Sequence, residues 1–379
     1  MTYSPVMAQP QAIPLPSATA GPWRLYYERH ERAIALSAFV AGFVFDVATL
    51  PSVDSSLAIA QQSLYILVIA AILVHMLLEQ AADAPPAAAA AGWYRRYRSV
   101  VVHFLFGSLL NIYTIYYFKS SSLLASFSFM AVLVLLLAAN ESRRFKALGL
   151  AFKFALLALC VLSFFAHVVP VFVGAIGPLV FVSSVLVGSL PLAAAGWWTG
   201  RGSPARAALA RTQIHVPLGI VLAGFLAFYA LKLIPPVPLS MPFIGIYHGV
   251  ERGARDYRLT HERPAWRFWE NGDQAFVAQP GDRVYVYLRI SSPARFAEQV
   301  LLRWSWKNDA GKWTAQDTIP VNIVGGRAEG FRGYGVKSNY RPGAWRVQVE
   351  TTDGREIGRI HFRLTQAPPA PRVFVSEIQ

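Results

Sequence analysis

Residues 147–190 read ALGLAFKFALLALCVLSFFAHVVPVFVGAIGPLVFVSSVLVGSL, and this stretch decides the architecture. Lys153 is its only charged residue, and Pro170 falls near its middle. A helix needs about 20 mostly apolar residues to cross the hydrocarbon core of a bilayer, so the run holds two crossings, about 147–167 and 171–190. Working outward, comparable stretches lie at about 34–50, 62–79, 99–118, 122–139 and 214–233. Seven transmembrane helices are therefore expected within residues 23–234. Pro51 ends the first, the Ala/Pro run 81–91 separates the second from the third, and Pro170 and Pro191 bracket the sixth. Residues 1–22, rich in Pro, Ala and Gln, read as a disordered leader. No small-residue cleavage site follows the first span, so it reads as a retained helix.

Composition agrees with membrane embedding. Of 379 residues, 54% are hydrophobic and 15% charged, against about 25% charged in an ordinary soluble domain. The net charge of +14 divides into +8 before residue 235 and +6 after it. The basic residues of the first part sit in loops, where they set orientation, so no nucleic-acid partner is expected. A single cysteine, Cys160, lies inside an apolar run and excludes a redox pair.

Orientation follows from the loops. Arg24, Arg29 and Arg32, then Arg95, Arg96 and Arg98, then Arg143, Arg144 and Lys146, then Arg201, Arg206 and Arg211 occupy alternate loops. The intervening loops hold only Lys119. The positive-inside rule places the first set in the cytoplasm, which leaves the amino terminus inside and the carboxy-terminal part outside.

Ionisable groups at membrane depth suggest function by default. Asp46, Asn111, Lys119 and His167 fall toward the outer ends of their spans, where they can line one polar pocket. Pairing of Asp46 with Lys119 as structural glue is the plainer reading. At the cytoplasmic depth His75 and Glu79 are one turn apart, with His103 and His215 nearby. Two such ligands do not make a metal pattern, and solvated helix ends are expected. Gly174, Gly177 and Pro178 read as an interruption of the sixth span, as at a transport site.

Beyond Pro235, Pro236, Pro238 and Pro242 the pattern changes. Residues 235–273 read as linker and juxtamembrane segment, with Trp266 and Trp269 packing between domain and membrane. From 274 to 366 short strands alternate with period two. Val284, Val286, Leu288 and Ile290 oppose Arg283, Tyr285, Tyr287 and Arg289, and Ile360, Phe362 and Leu364 oppose Arg359, His361 and Arg363. Trp345, Val347 and Val349 alternate with Arg346, Gln348 and Glu350, and Asp353-Gly354 signals a hairpin. Six or seven strands predict an immunoglobulin-like all-β sandwich with Trp304, Trp306 and Trp345 in its core; residues 367–379 read as a tail. The outward set Tyr285, Tyr287, Arg346, Arg359, His361 and Arg363 is the candidate binding face for an anionic partner. No catalytic motif, metal site or cofactor signature occurs.

GFVFDVATLPSVDS at the first span and FLFGSLLNIYTIYYFKSSS at the third resemble bacterial membrane proteins of the domain-of-unknown-function family 2914. So do VLLRWSWKNDAGKW and RPGAWRVQVETTDGREIGRIHF in the tail. The resemblance implies no activity and no catalytic residues. The expectation is a helical bundle of a bacterial inner membrane that presents a periplasmic sandwich. Its expected partners are membrane lipids and an anionic envelope glycan or lipid, or another envelope protein. The alternative is a transporter or membrane-embedded enzyme acting on a lipid-linked substrate, marked by a cavity along Asp46, Asn111 and Lys119.

Overall fold

The computed structural model describes residues 53–81, 91–120, 126–140, 148–325 and 330–379. Its helices are α1 (Ser56–Ala81), α2 (Ala91–Lys119), α3 (Phe127–Asn140), α4 (Leu150–Val173), α5 (Pro178–Gly200), α6 (Pro204–Ala210) and α7 (Val216–Ala230). A π-helical turn, Arg211–His215, joins α6 to α7. Among the described residues, five segments are long and apolar enough to cross a membrane: Ser56–Ala81, Tyr97–Lys119, Leu150–Val173, Pro178–Gly200 and Pro204–Ala230. Phe127–Ala139 is apolar but shorter. The span expected at 34–50, with Asp46, and the leader 1–22 lie outside the described residues.

Two expected span boundaries move. Pro170 lies inside α4 and Pro191 inside α5. The chain reverses at 174–177, so Gly174, Gly177 and Pro178 separate two helices and interrupt neither. Proline is tolerated within membrane helices, where neighbouring groups re-satisfy the freed carbonyl. What ends α4 is Gly174 in the left-handed conformation (φ 76°), whose N–H donates to the Pro170 carbonyl. Pro178, without an N–H to lose, then begins α5.

Helix α4 lies at the centre and touches α1, α2, α5 and α7. Close approach to α5 depends on Gly188, where an added Cβ would stand 2.9 Å from the Phe165 ring. Small residues of this kind let membrane helices meet at backbone distance.

The described residues of the β part form eleven strands: β1 (Ser240–Tyr247), β2 (Gly249–Arg252), β3 (Tyr257–His261), β4 (Ala275–Ala278), β5 (Val284–Ser291), β6 (Ala297–Lys307), β7 (Trp313–Val324), β8 (Phe331–Lys337), β9 (Gly343–Thr351), β10 (Glu356–Gln366) and β11 (Val375–Ile378). They form sheets ordered β1-β5-β8, β4-β10-β9-β6-β7 and β11-β3-β2. The first two enclose a core that includes Val286, Leu288, Leu302, Trp304, Trp345, Val347, Phe362 and Leu364. Period-two alternation placed these residues correctly, and the β9–β10 hairpin turns at Asp353-Gly354 as expected.

The linker assignment for 235–273 is corrected. Residues 240–261 supply three strands, and Leu239, Ile244 and Ile246 belong to the main core. Pro242 and Gly245 break the alternation of β1, and only pairing with β5 makes it a strand. Residues 375–378 of the expected tail likewise pair with β3. Trp266 and Trp269 are exposed and touch each other edge to face.

The sandwich meets the helical bundle through Ile176 and Arg355. Ile176 donates its N–H to Glu298 (2.9 Å) and packs on the sandwich core. Arg355, buried in the β9–β10 hairpin, lies over the Tyr229 ring at 3.4 Å. It donates to the Tyr229 carbonyl (2.9 Å) and pairs with Asp353 (2.8 Å). Tyr229 in turn stacks on Phe181 at 3.8 Å. The arginine therefore caps the end of α7 with charge-assisted bonds.

Candidate functional site

In the bundle, the described residues of the expected pocket differ in burial. His167 is buried among Tyr113, Tyr116 and Tyr117. Lys119 is exposed in the last turn of α2 and makes no hydrogen bond or ion pair with His167 among the described residues. Asn111 is half-buried, and Asp46 lies outside the described residues. Among the described residues, cavities lie away from these groups. One of about 20 Å³ lies at the junction beside Phe181, Tyr229 and Arg355. The other, about 680 Å³, is an open cleft of the β part beside Asp282, Arg283 and Tyr340.

At the opposite end of the bundle Glu79 accepts from Arg95 (3.2 Å) and Arg98, bonding α1 to α2. His75 stands 3.9 Å from Glu79 and 3.3 Å from the Tyr94 hydroxyl. His215 Nε2 lies 3.2 Å from the Ala193 carbonyl. Among the described residues no group of three His, Cys, Asp or Glu could hold a metal ion.

The five-stranded sheet carries most of the predicted binding face. On neighbouring strands His361 stands opposite Arg346, and Arg359 opposite Gln348. The Arg346 guanidinium lies 4.7 Å over the Trp313 ring, whose centroid is 5.5 Å from that of His361. Trp313 comes from β7, two strands beyond β9, and no local pattern marks it. The face is not uniformly basic. Arg359 is held by Glu356 at 2.5 Å, and Arg303 by Glu350 at 3.1 Å. Arg346, His361 and Arg363 make no ion pair among the described residues. Burial, and then repulsion by Arg359, hold the Arg346 and His361 pKa values below their usual ranges. Arg346 Nε is buried without a hydrogen-bond partner.

Tyr285 and Tyr287 do not belong to this face. They lie on β5, in the other sheet. Tyr287 is fully buried with Tyr247, Tyr257 and Leu259 beneath β3. Residues on the outer side of a strand face solvent only if nothing covers that sheet, and β2 and β3 cover it here.

A second polar cluster had no signal in the sequence. The His248 side chain is 4% exposed, with Nε2 3.4 Å from Glu262 and 3.6 Å from Asp273, and Nδ1 3.8 Å from Asp282. Asp273 accepts from the Glu262 N–H at 2.9 and 3.1 Å. Arg372 clamps Asp282 at 2.7 and 2.9 Å and approaches Glu262 at 3.6 Å. Burial lowers the His248 pKa to about 4 and raises that of Asp273 to about 6. Burial also lifts Glu262, whereas at Asp282 the Arg372 and Gln279 bonds outweigh burial and lower it. The five side chains come from segments up to 124 residues apart. The cluster fastens the end of the chain across the sheet beside the main core.

Part of the β region matches a sequence-family model. Residues 297–364 match the model of the family described as "Protein of unknown function (DUF2914)", which covers β6 to β10. No curated protein matches the chain. Among solved structures, an immunoglobulin-like protein from Pseudomonas aeruginosa is similar at 13% identity and a TM-score of 0.21. It covers 34% of this chain and 98% of its own. An alkylpurine DNA glycosylase from Pseudomonas fluorescens, bound to DNA with an abasic-site analogue, gives 11% identity and the same TM-score. It covers 84% of this chain and 100% of its own.

Proposed function

We infer, for a chain whose β part carries the DUF2914 match, a multi-pass protein of a bacterial inner membrane that holds its sandwich in the periplasm. There the sandwich engages an anionic envelope component, a glycan or a lipid headgroup. The observation that carries this reading is the junction. Ile176 and Tyr229 join the sandwich to the bundle end formed by the α4–α5 turn and the end of α7. Arg201, Arg206 and Arg211 lie at the other ends of α5 and α6–α7. The sandwich thus stands on the side poor in basic loops, the outer side under the positive-inside rule.

On the sandwich, the binding groups are Arg346, Arg363 and His361 beside Trp313. An anion there relieves the repulsion between Arg346 and its cationic neighbours, and the indole offers a flat apolar platform. Alkaline phosphatase fused after Gln379 should be active, and fused after Arg144 inactive; the reverse pattern overturns the topology. Full-length protein in zwitterionic nanodiscs should retain anionic phosphatidylglycerol vesicles at low salt and release them as salt rises. Arg346→Glu with Arg363→Glu should abolish that retention. Unchanged retention in the double variant overturns the assignment of the face.

A further inference from the structure

Hydrocarbon offers no hydrogen-bond partners, so polar groups inside a membrane bundle must find theirs within it. Around His167 they do not. Its Nδ1 lies 2.6 Å from the Ser163 carbonyl. A carbonyl only accepts, so Nδ1 carries the ring proton and Nε2 presents a lone pair. Tyr117, Tyr116 and Tyr113 of α2 surround the imidazole, with ring centroids 4.5, 5.5 and 5.9 Å away. Tyr116 turns its hydroxyl to Gln62 of α1. Ser163 Oγ faces the Tyr117 hydroxyl without closing a hydrogen bond.

Four atoms are thereby left buried and unpartnered among the described residues: Tyr113 Oη, Tyr117 Oη, Ser163 Oγ and His167 Nε2. All four residues are at most 1% exposed. Native interiors rarely leave even one such group orphaned, because each forfeits its hydrogen bonds to water. A guest that resolves the cluster must donate to Nε2 and accept from a phenol. It must also be neutral, since none of these four side chains is a carboxylate, lysine or arginine, and small, since the site is enclosed.

We propose that this cluster binds an internal water, which donates to His167 Nε2 and accepts from the hydroxyl of Tyr113 or Tyr117. The bundle then contains a hydrated polar centre between α2 and α4, independent of what the sandwich binds.

Radiolytic hydroxyl-radical footprinting of the full-length protein in nanodiscs, read by mass spectrometry, tests this directly. Radicals formed from a bound water label the side chains beside it, however buried they are. Tyr113 and Tyr117 should be labelled, as exposed Tyr97 is, while Phe106 and Phe154, equally enclosed but apolar, stay unlabelled. His167→Leu should lose the tyrosine label and His167→Gln retain it. Tyrosines as silent as Phe106 in the wild type overturn the proposal, as does a label undiminished in His167→Leu. If the leucine variant does not fold, the wild-type comparison decides by itself.

Discussion

Replacing Asp273 with asparagine should make the protein acid-sensitive, because it removes one of two opposing titrations in the His248 cluster. His248 has a folded pKa of about 4 against 6.5 in the unfolded chain. Between those values the unfolded chain binds more protons, so stability is fully present above pH 6.5 and is lost as pH falls toward 4. Asp273 acts in the opposite sense. Its folded pKa of about 6 exceeds the unfolded 3.8, so the folded protein takes up the proton first and gains stability as pH falls from 6 toward 3.8. At about 1.4 kcal/mol per pKa unit, going from pH 7 to 4.5 costs about 2 kcal/mol through His248 and returns about 2 kcal/mol through Asp273. Glu262, raised, adds to the Asp273 side, and Asp282, lowered, to the His248 side. Arg372, held cationic by its bonds to Asp282, and Arg263 are the other charges facing the cluster. The wild type should therefore change little, whereas Asp273→Asn, which keeps an acceptor for the Glu262 N–H, should lose about 2 kcal/mol. His248→Gln should instead gain stability over the same range. Urea unfolding of the detergent-solubilised protein at both pH values, followed by tryptophan fluorescence, measures the difference. Parallel losses in wild type and Asp273→Asn would refute the reasoning.

Other consequences follow from packing and from the junction. Arg355→Met leaves the half-buried Asp353 without its ionic partner, though still bonded by Thr351 and Tyr229, and removes the cap of α7, at about 1–3 kcal/mol. Limited proteolysis should then cut the connection at 231–239, which stays intact in the wild type. Gly188→Leu drives a side chain into the Phe165 ring and should destabilise the bundle by about 1–3 kcal/mol. Gly219→Ala, with nothing within 4 Å of the new Cβ, should leave the melting temperature unchanged. Trp304→Ala empties a fully buried site of the sandwich and should cost about 3–5 kcal/mol, visible as lost near-ultraviolet circular dichroism.

The membrane helices and the main strands were legible because each is encoded in consecutive residues. Twenty apolar positions mark a span wherever they occur, and Val284 to Ile290 alternate whatever they pair with. The same locality misplaced the α4–α5 turn. Pro170 is the stronger breaker on paper, but within a bundle it is absorbed, and Gly174 ends the helix because only there does the backbone turn left-handed. Hydrophobic patterning therefore determined, from the sequence alone, that this is a helical membrane protein with a β-rich end, and that the β9–β10 hairpin turns at Asp353-Gly354.

What lies opposite each element was decided only by tertiary structure. Tyr287 sits on the outer side of β5 as its alternation requires, yet it is buried because β2 and β3, built from a stretch without a clear period, close over it. Arg346 gained Trp313 from a distant strand, and Arg359 lost its free charge to Glu356. His248 meets Glu262, Asp273, Asp282 and Arg372 only after three strands and the end of the chain have come together. Periodicity reports which side of an element a residue takes. It carries no information about which other segment will cover that side, and that choice fixes burial, charge pairing and pKa.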